Sequence, residues 1–526
     1  MGSQVGGAGN FNPYTVCTVV PYEGIINENY FRIKKRETEL SANLETFKCV
    51  ARNPFSKKLE YFLAMLIKSK YDGVGRQEDE IDISIALDIS GSMLFGIDKK
   101  PTFKESALED EVLSNFNNNV NQGKDRLTIA KECLFTMIDS MSDKVQMALT
   151  TFDDFSTQII PLSPKKELKS ISHVINSIQA GGGTNLYAAL KDAANCLSSS
   201  TAKFKRVIII TDGWYSNPQF MDLARRLNEQ NILITILAID SSSNTSVYEG
   251  LCELKGCNYY FILNDKDMEK YLIKQFNYIC FPILYDMKIT FESDDADLIK
   301  TIGCGLQNEK SKEISQYQVD NVNYVNYVNY VNYAKKADKV DLVNIKSLFP
   351  SEIKYFNNCI YQEGGLMLLK INPRSLNKNC MINIHMEYTE IEGYKLEKDF
   401  PILFTVDELR NCVQSNEIKK GIACYYYNKF YRKMAKLLNN DISVDIQGPY
   451  YNPTKGKPAK KYIDFLGREK ENYDMINIFF NENYENDLNE YQKEFYLKML
   501  DKWYRKVLEK INQINNPYPY SYSYFY

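Results

Sequence analysis

The 526-residue chain balances 64 Lys+Arg against 67 Asp+Glu, a formal net charge of −3, so it lacks the basic excess that nucleic-acid or membrane-surface binding needs. Two histidines, His173 and His385, are too few for a multi-His metal site, and both read as surface or sheet residues. Twelve cysteines with no CxxC pair, no leader peptide and no run of apolar residues long enough to span a bilayer point to reduced thiols in a soluble cytoplasmic protein without a transmembrane segment.

In chain order, residues 1–30 read as a flexible N-terminus, and Gly6 stands where a myristoylation signal at Gly2 wants Ser or Thr. "SANLETFKCVA" and "LEYFLAMLIKS" then read as two strands. From about residue 81 to 280, short apolar runs alternate with amphipathic ones: "ISIALD", "RLTIAKECLFTMIDSM", "VQMALTTF", "NLYAALKDAANCL", "RVIIITD", "NPQFMDLARRLNEQ" and "LITILAID". Leu127, Ala130, Leu134, Met137 and Ile138 recur at helical spacing, while "VIIIT" is an apolar run of strand length. This alternation predicts an α/β unit, a doubly wound, mostly parallel sheet covered by helices on both faces. A final helix over about 266–279 closes it.

Strand signals resume in "DMKITFES", "GGLMLLKIN", "CMINIHMEYTE" and "KDFPILFTV". Strands on both sides of the block predict that it is inserted in a flanking β-sandwich made of residues 31–80 plus 281–406, with a low-complexity loop at 317–338 that holds the "VNYVNYVNYVNY" repeat. Residues 407–512 read as a helical region interrupted by the loop "DIQGPYYNPTKGKPAK", with its apolar faces packed on the rest of the protein, and 513–526 as a Tyr-rich tail.

The chemistry gathers at "DISIALDISGSMLFG", residues 82–96, where Asp88, Ser90 and Ser92 alternate after an apolar strand. A second acid, Asp212, ends "RVIIITD", and ligands of doubly wound sheets sit in the crevice at the carboxyl ends of the strands, so both acids point at one crevice. The Asp-x-Ser-x-Ser order, the "GGGTNL" turn carrying Thr184 and the "IIITDG" strand end carrying Asp212 resemble the metal-ion-dependent adhesion site of the von Willebrand factor type A (vWA) domain. The resemblance extends through "RLTIAKECLF", "VQMALTTFDDFS" and "ILITILAID", about 82–280. It implies a Rossmann-like vWA fold, metal ligation by Asp88, Ser90, Ser92, Thr184 and Asp212, and capture of a partner protein's Glu or Asp carboxylate. These donors are all oxygens, the set preferred by Mg²⁺, with Mn²⁺ or Ca²⁺ as possible occupants.

Asp153 and Asp154 of "FDDF" read as a solvated turn near the same edge, and the insert "DKKPTFKESALEDEVLSNFNNNVNQGKD" borders the face. The layout as a whole resembles vWA proteins of the inter-alpha-trypsin-inhibitor heavy-chain and calcium-activated-chloride-channel-like groups. With no Walker lysine motif or nucleophile elbow, a catalytic role is not expected. Two functions stay open: an intracellular, metal-dependent protein-binding module, or an assembly component whose metal only orders the vWA loops and whose contacts come through the helical tail. Nothing in the sequence specifies an oligomeric state.

Overall fold

The computed structural model describes residues 29–34, 38–75, 81–96, 124–170, 172–213, 219–239, 250–262, 265–302, 339–412, 416–439, 460–484 and, discontinuously, 493–505. The N-terminal segment, most of the insert after Gly96, the VNY repeat, the loop before Lys460 and the Tyr-rich tail lie outside the described residues.

Three strands precede the α/β unit: β1 (Tyr30–Ile33), β2 (Asn43–Arg52) and β3 (Leu59–Lys68). The unit then builds a six-stranded sheet from β4 (Ile81–Asp88), β5 (Gln146–Phe152), β6 (Ser156–Pro164), β7 (Phe204–Thr211), β8 (Ile232–Ile239) and β9 (Asn258–Ile262), in the order β6-β5-β4-β7-β8-β9. Every pairing is parallel except β5 with β6. All eight residues of β4 and all eight of β8 are buried, because helices cover both faces and each side of the pleat meets a core.

On one face, Ile83, Ile85 and Leu87 pack with Leu127, Ala130, Leu134, Met137 and Ile138 of α1 (Arg126–Ser140), the periodic set read from the sequence. On the other, Ala86 and Ile209 pack with α4 (Leu186–Cys196) and α5 (Gln219–Glu229). Between these helices α2 (Lys165–Ser170) and α3 (Ser172–Ser177) are short. The expected closing helix is divided into α6 (Asp265–Glu269), a π turn (Lys270–Lys274) and α7 (Phe276–Cys280). Gln275 N–H reaches back to the Lys270 carbonyl at 2.7 Å, the wider hydrogen-bonded ring that interrupts the α pattern.

Eight strands follow: β10 (Leu284–Glu292), β11 (Ala296–Ile302), β12 (Lys339–Leu348), β13 (Ile353–Phe356), β14 (Cys359–Glu363), β15 (Leu366–Pro373), β16 (Cys380–Glu390) and β17 (Lys395–Phe404). They join β1–β3 in two antiparallel four-stranded sheets, β12-β10-β16-β17 and β11-β15-β3-β2, and a small sheet β1-β14-β13. Leu63 and Met65 from one large sheet share a core with Ile289 and Ile384 from the other. The opposite face of β2, β3 and β15 is also covered. Phe62 and Leu368 pack there against Tyr425, Tyr426 and Phe430 of α9 (Asn416–Asn439) and Ile476 and Phe480 of α10 (Lys460–Asn483). This is why β3 reads as a continuous apolar run. After β17, α8 (Val406–Arg410) starts with a capping box between Thr405 and Glu408. Helix α10 falls within the stretch read as helical, although Gly467 and the charged run Arg468 to Glu471 interrupt its apolar period.

Candidate metal centre

The loops after β4, β5 and β7 meet at the carboxyl end of the sheet, beside the central strand from which the chain winds in both directions. Backbone bonds tie the β4 loop to the end of β5 and to the glycine turn before α4: Ile89 N–H to Phe152 O at 2.9 Å, Gly181 N–H to Ile89 O at 2.7 Å and Gly91 N–H to Gly182 O at 3.1 Å.

Four of the five expected ligand residues are linked by hydrogen bonds. Asp88 is fully buried at the end of β4. Its Oδ1 accepts from Ser90 N–H at 2.8 Å and its Oδ2 from the Thr211 hydroxyl at 2.5 Å. Burial pushes the Asp88 carboxyl up to about 6. The Thr211 and Ser90 bonds work against that rise, and the nearby Asp212 charge adds to it. Ser90 Oγ and Ser92 Oγ lie 3.0 Å apart, and the Ser92 hydroxyl donates to Asp212 Oδ1 at 2.8 Å. Thr184, the fifth residue, lies against Gly213: a Cβ there would stand 2.4 Å from Thr184 Cγ2 and 3.0 Å from its Oγ1. Only a glycine lets the two loops approach this closely.

Two participants escape sequence reasoning. Thr211 reads as one more strand residue, yet it orients Asp88. Arg126, the first residue of α1, donates from Nη1 to Asp212 Oδ2; the Asp212 side chain is 0 % exposed and that of Arg126 12 %. The "DDF" acids are more than a solvated turn. Asp154 Oδ2 accepts from Gly183 N–H at 3.2 Å, and the Asp153 carbonyl accepts from Asn185 N–H at 2.7 Å, tying the β5 loop to the loop of Thr184. Around this polar centre Leu94, Phe95 and Phe155 are exposed large apolar side chains. Neither histidine is in it: His173 lies on α3, and His385 in β16 pairs with Asp399 at 3.0 Å.

Among the described residues no group of three or more His, Cys, Asp or Glu side chains is placed to hold a metal. A cation here would therefore rest on hydroxyls and two carboxylates. That oxygen-only set fits a hard divalent ion and disfavours soft ones. A cation would also stabilise the charged form of a carboxyl that burial has pushed up. Among the described residues no helix is long and apolar enough to cross a membrane.

The family described as the von Willebrand factor type A domain matches residues 82–275. No curated protein matches the chain. Among solved structures, the chain resembles a von Willebrand factor type A protein from Catenulispora acidiphila at 11 % identity and a TM-score of 0.44, covering 90 % of this chain and 91 % of that one. It resembles the ArnB paralog VWA2 from Sulfolobus acidocaldarius at 10 % identity and a TM-score of 0.38, covering 91 % and 98 %. Proximal thread matrix protein 1 from the mussel byssus, with a zinc-occupied adhesion motif, aligns at 17 % identity and a TM-score of 0.28, covering 38 % and 46 %. With its apolar-strand alternation, its mostly parallel six-stranded sheet and the family match all falling on one segment, the chain carries a von Willebrand factor type A domain over residues 82–275.

Proposed function

We propose that this vWA domain is a protein-binding module. Asp88, Ser90, Ser92, Thr184 and Asp212 hold a divalent cation, Mg²⁺ first, with Mn²⁺ or Ca²⁺ as substitutes, and the face captures a Glu or Asp side chain of a partner protein. The observation that carries the reading is the oxygen chain from Ser90 through Ser92 to Asp212, with Asp88 held beside it by Ser90 and Thr211. Bound there, the ion would supply an electrophilic position for a carboxylate oxygen. The protein's own part is to keep the hydroxyls and carboxylates converged and to present an apolar rim at Leu94, Phe95 and Phe155, which suits an acidic residue flanked by apolar ones. The role is binding rather than catalysis, with residues 31–80 plus 281–406 and the helices from 407 as scaffold. The described cysteines are thiols rather than disulfides, which favours a reducing compartment such as the cytoplasm.

The assembly alternative, with contacts through the helical tail, has less support, because Tyr425, Tyr426, Tyr427 and Phe430 of α9 and Phe480 of α10 are buried in the core over β2, β3 and β15. Titration calorimetry tests the metal. Asp88→Ala and Asp212→Ala should each strongly weaken Mg²⁺ binding with the fold intact, and unchanged affinity in both ends the reading. Partner recovery in Mg²⁺ but not in EDTA tests capture. Equal recovery in both media favours assembly.

A further inference from the structure

We propose that Arg126 is a built-in counter-cation of the vWA face: its guanidinium holds the Asp212 carboxylate in the metal-free protein and competes with a divalent ion for it. The inference rests on reading the five oxygen residues as a metal site.

Asp212 divides its two oxygens. Oδ1 accepts from Ser92 at 2.8 Å, on the side of the paired serine hydroxyls, and Oδ2 accepts from Arg126. The carboxylate is 0 % exposed and Asp88 beside it is also fully buried. Two buried acids at one strand edge need positive charge nearby, and the guanidinium supplies it to Asp212.

Arg126 is not a surface cation that happens to fold inward. Its backbone N–H donates to Phe95 O at 3.0 Å, and the preceding Asp125 caps α1 by accepting from Thr128 N–H at 2.6 Å. Gly96 and Asp125 form a β-bridge that pins the start of α1 to the end of the Asp88–Ser92 loop. The contrast is with Lys124 two residues earlier, whose ion pair with Glu132 is solvated, the side chains being 60 % and 51 % exposed. Arg126 thus joins the first loop, the start of α1 and the loop of Asp212. A divalent ion drawn to Asp212 meets a fixed positive charge at the same carboxylate and must displace or tolerate it.

The test is Mg²⁺ titration by calorimetry, with thermal unfolding in EDTA and in Mg²⁺, on the full chain and on Arg126→Gln and Arg126→Lys. Arg126→Gln should bind Mg²⁺ about tenfold tighter, as expected for removing a like charge at contact distance. It should also melt lower in EDTA and gain more from Mg²⁺ than the wild type does. Arg126→Lys keeps the charge without the planar fork and should stay near wild type in affinity. If the wild type binds Mg²⁺ and Arg126→Gln binds equally or more weakly, Arg126 merely orients Asp212 and the inference falls while the metal site stands. If neither protein binds, both fall. If Arg126→Gln does not fold in EDTA, its recovery in Mg²⁺ supports the inference, and failure to recover overturns it.

Discussion

Arg206 and Cys280 meet inside the protein: the Arg206 guanidinium, 0 % exposed in β7, donates from Nε to the backbone carbonyl of Cys280, the last residue of α7, at 3.0 Å. Its other nitrogens donate to Thr235 Oγ1 at 2.7 Å and Gly256 O at 2.9 Å, and the Phe349 ring lies 6.0 Å away. All three acceptors are neutral oxygens in a buried place. Arg206→Met keeps much of the volume and leaves them short of a donor, which should lower stability by about 3 kcal/mol. Arg206→Lys, with one ammonium in place of the fork, should recover part of the loss. Denaturant unfolding reads both, and an unmoved midpoint in Arg206→Met would show that the three bonds carry no weight.

A pH effect should follow from Glu60, in β3 beneath α9. Burial acts to raise its carboxyl, but bonds from Lys370 at 2.7 Å, Tyr426 at 2.5 Å and Asn53 at 2.8 Å prevail and hold it below the usual range. A depressed folded value stabilises the fold above the unfolded value, about 4.3 for Glu, and that contribution is lost as pH falls through the folded value. Glu60→Gln should therefore be less stable than wild type at neutral pH and lose less on acidification. Parallel acid-unfolding curves would contradict the assignment.

The elements visible in the sequence are those whose burial is dictated by two covered faces. β4, β7 and β8 read as apolar runs because helices lie on both sides of them. β3 reads so because the sandwich lies on one side and α9 on the other. β6 does not announce itself. It is an antiparallel edge strand with prolines at 161 and 164, positions an edge tolerates and an inner strand does not. β1, β13 and β14 are four or five residues long, too short to show a period. At the candidate site, the sequence marks Asp88, Ser90, Ser92, Thr184 and Asp212 because each stands close to a strand end or a glycine turn. The Arg126–Asp212 contact spans 86 positions, and no local pattern encodes it.

The closing segment of the vWA domain is anchored sideways. Lys270, in the π turn, pairs with Glu363 of β14 at 3.0 Å, and the Gln275 amide donates to Glu352 Oε2 at 3.0 Å. The ion pair is part-exposed, 30 % and 25 % for its two side chains, so solvent screens it. A double-mutant cycle of Lys270→Ala and Glu363→Ala should give a coupling of about 0.5–1 kcal/mol. A value of zero would leave the Gln275–Glu352 hydrogen bond as the sideways anchor that matters.

Gly213 offers a test of the site that leaves every donor in place. Its missing Cβ would stand 2.4 Å from Thr184 Cγ2 and 3.0 Å from both Thr184 Cβ and Oγ1, so Gly213→Ala must push the Thr184 side chain away from the Asp212 loop. A β-branched residue has few alternative rotamers with which to evade the methyl. The hydroxyl is then displaced, although all five oxygen residues are still present. Mg²⁺ affinity should fall about tenfold, the lower end of what disturbing the support of a ligand costs. Thr184→Ser removes Cγ2, the atom of closest approach, and keeps Oγ, so Gly213→Ala with Thr184→Ser should bind Mg²⁺ more tightly than Gly213→Ala alone. Calorimetry on the two variants and wild type, with circular dichroism to confirm folding, decides it. A double variant no better than Gly213→Ala would mean that the glycine serves the backbone of the Asp212 loop and not the placement of the Thr184 hydroxyl.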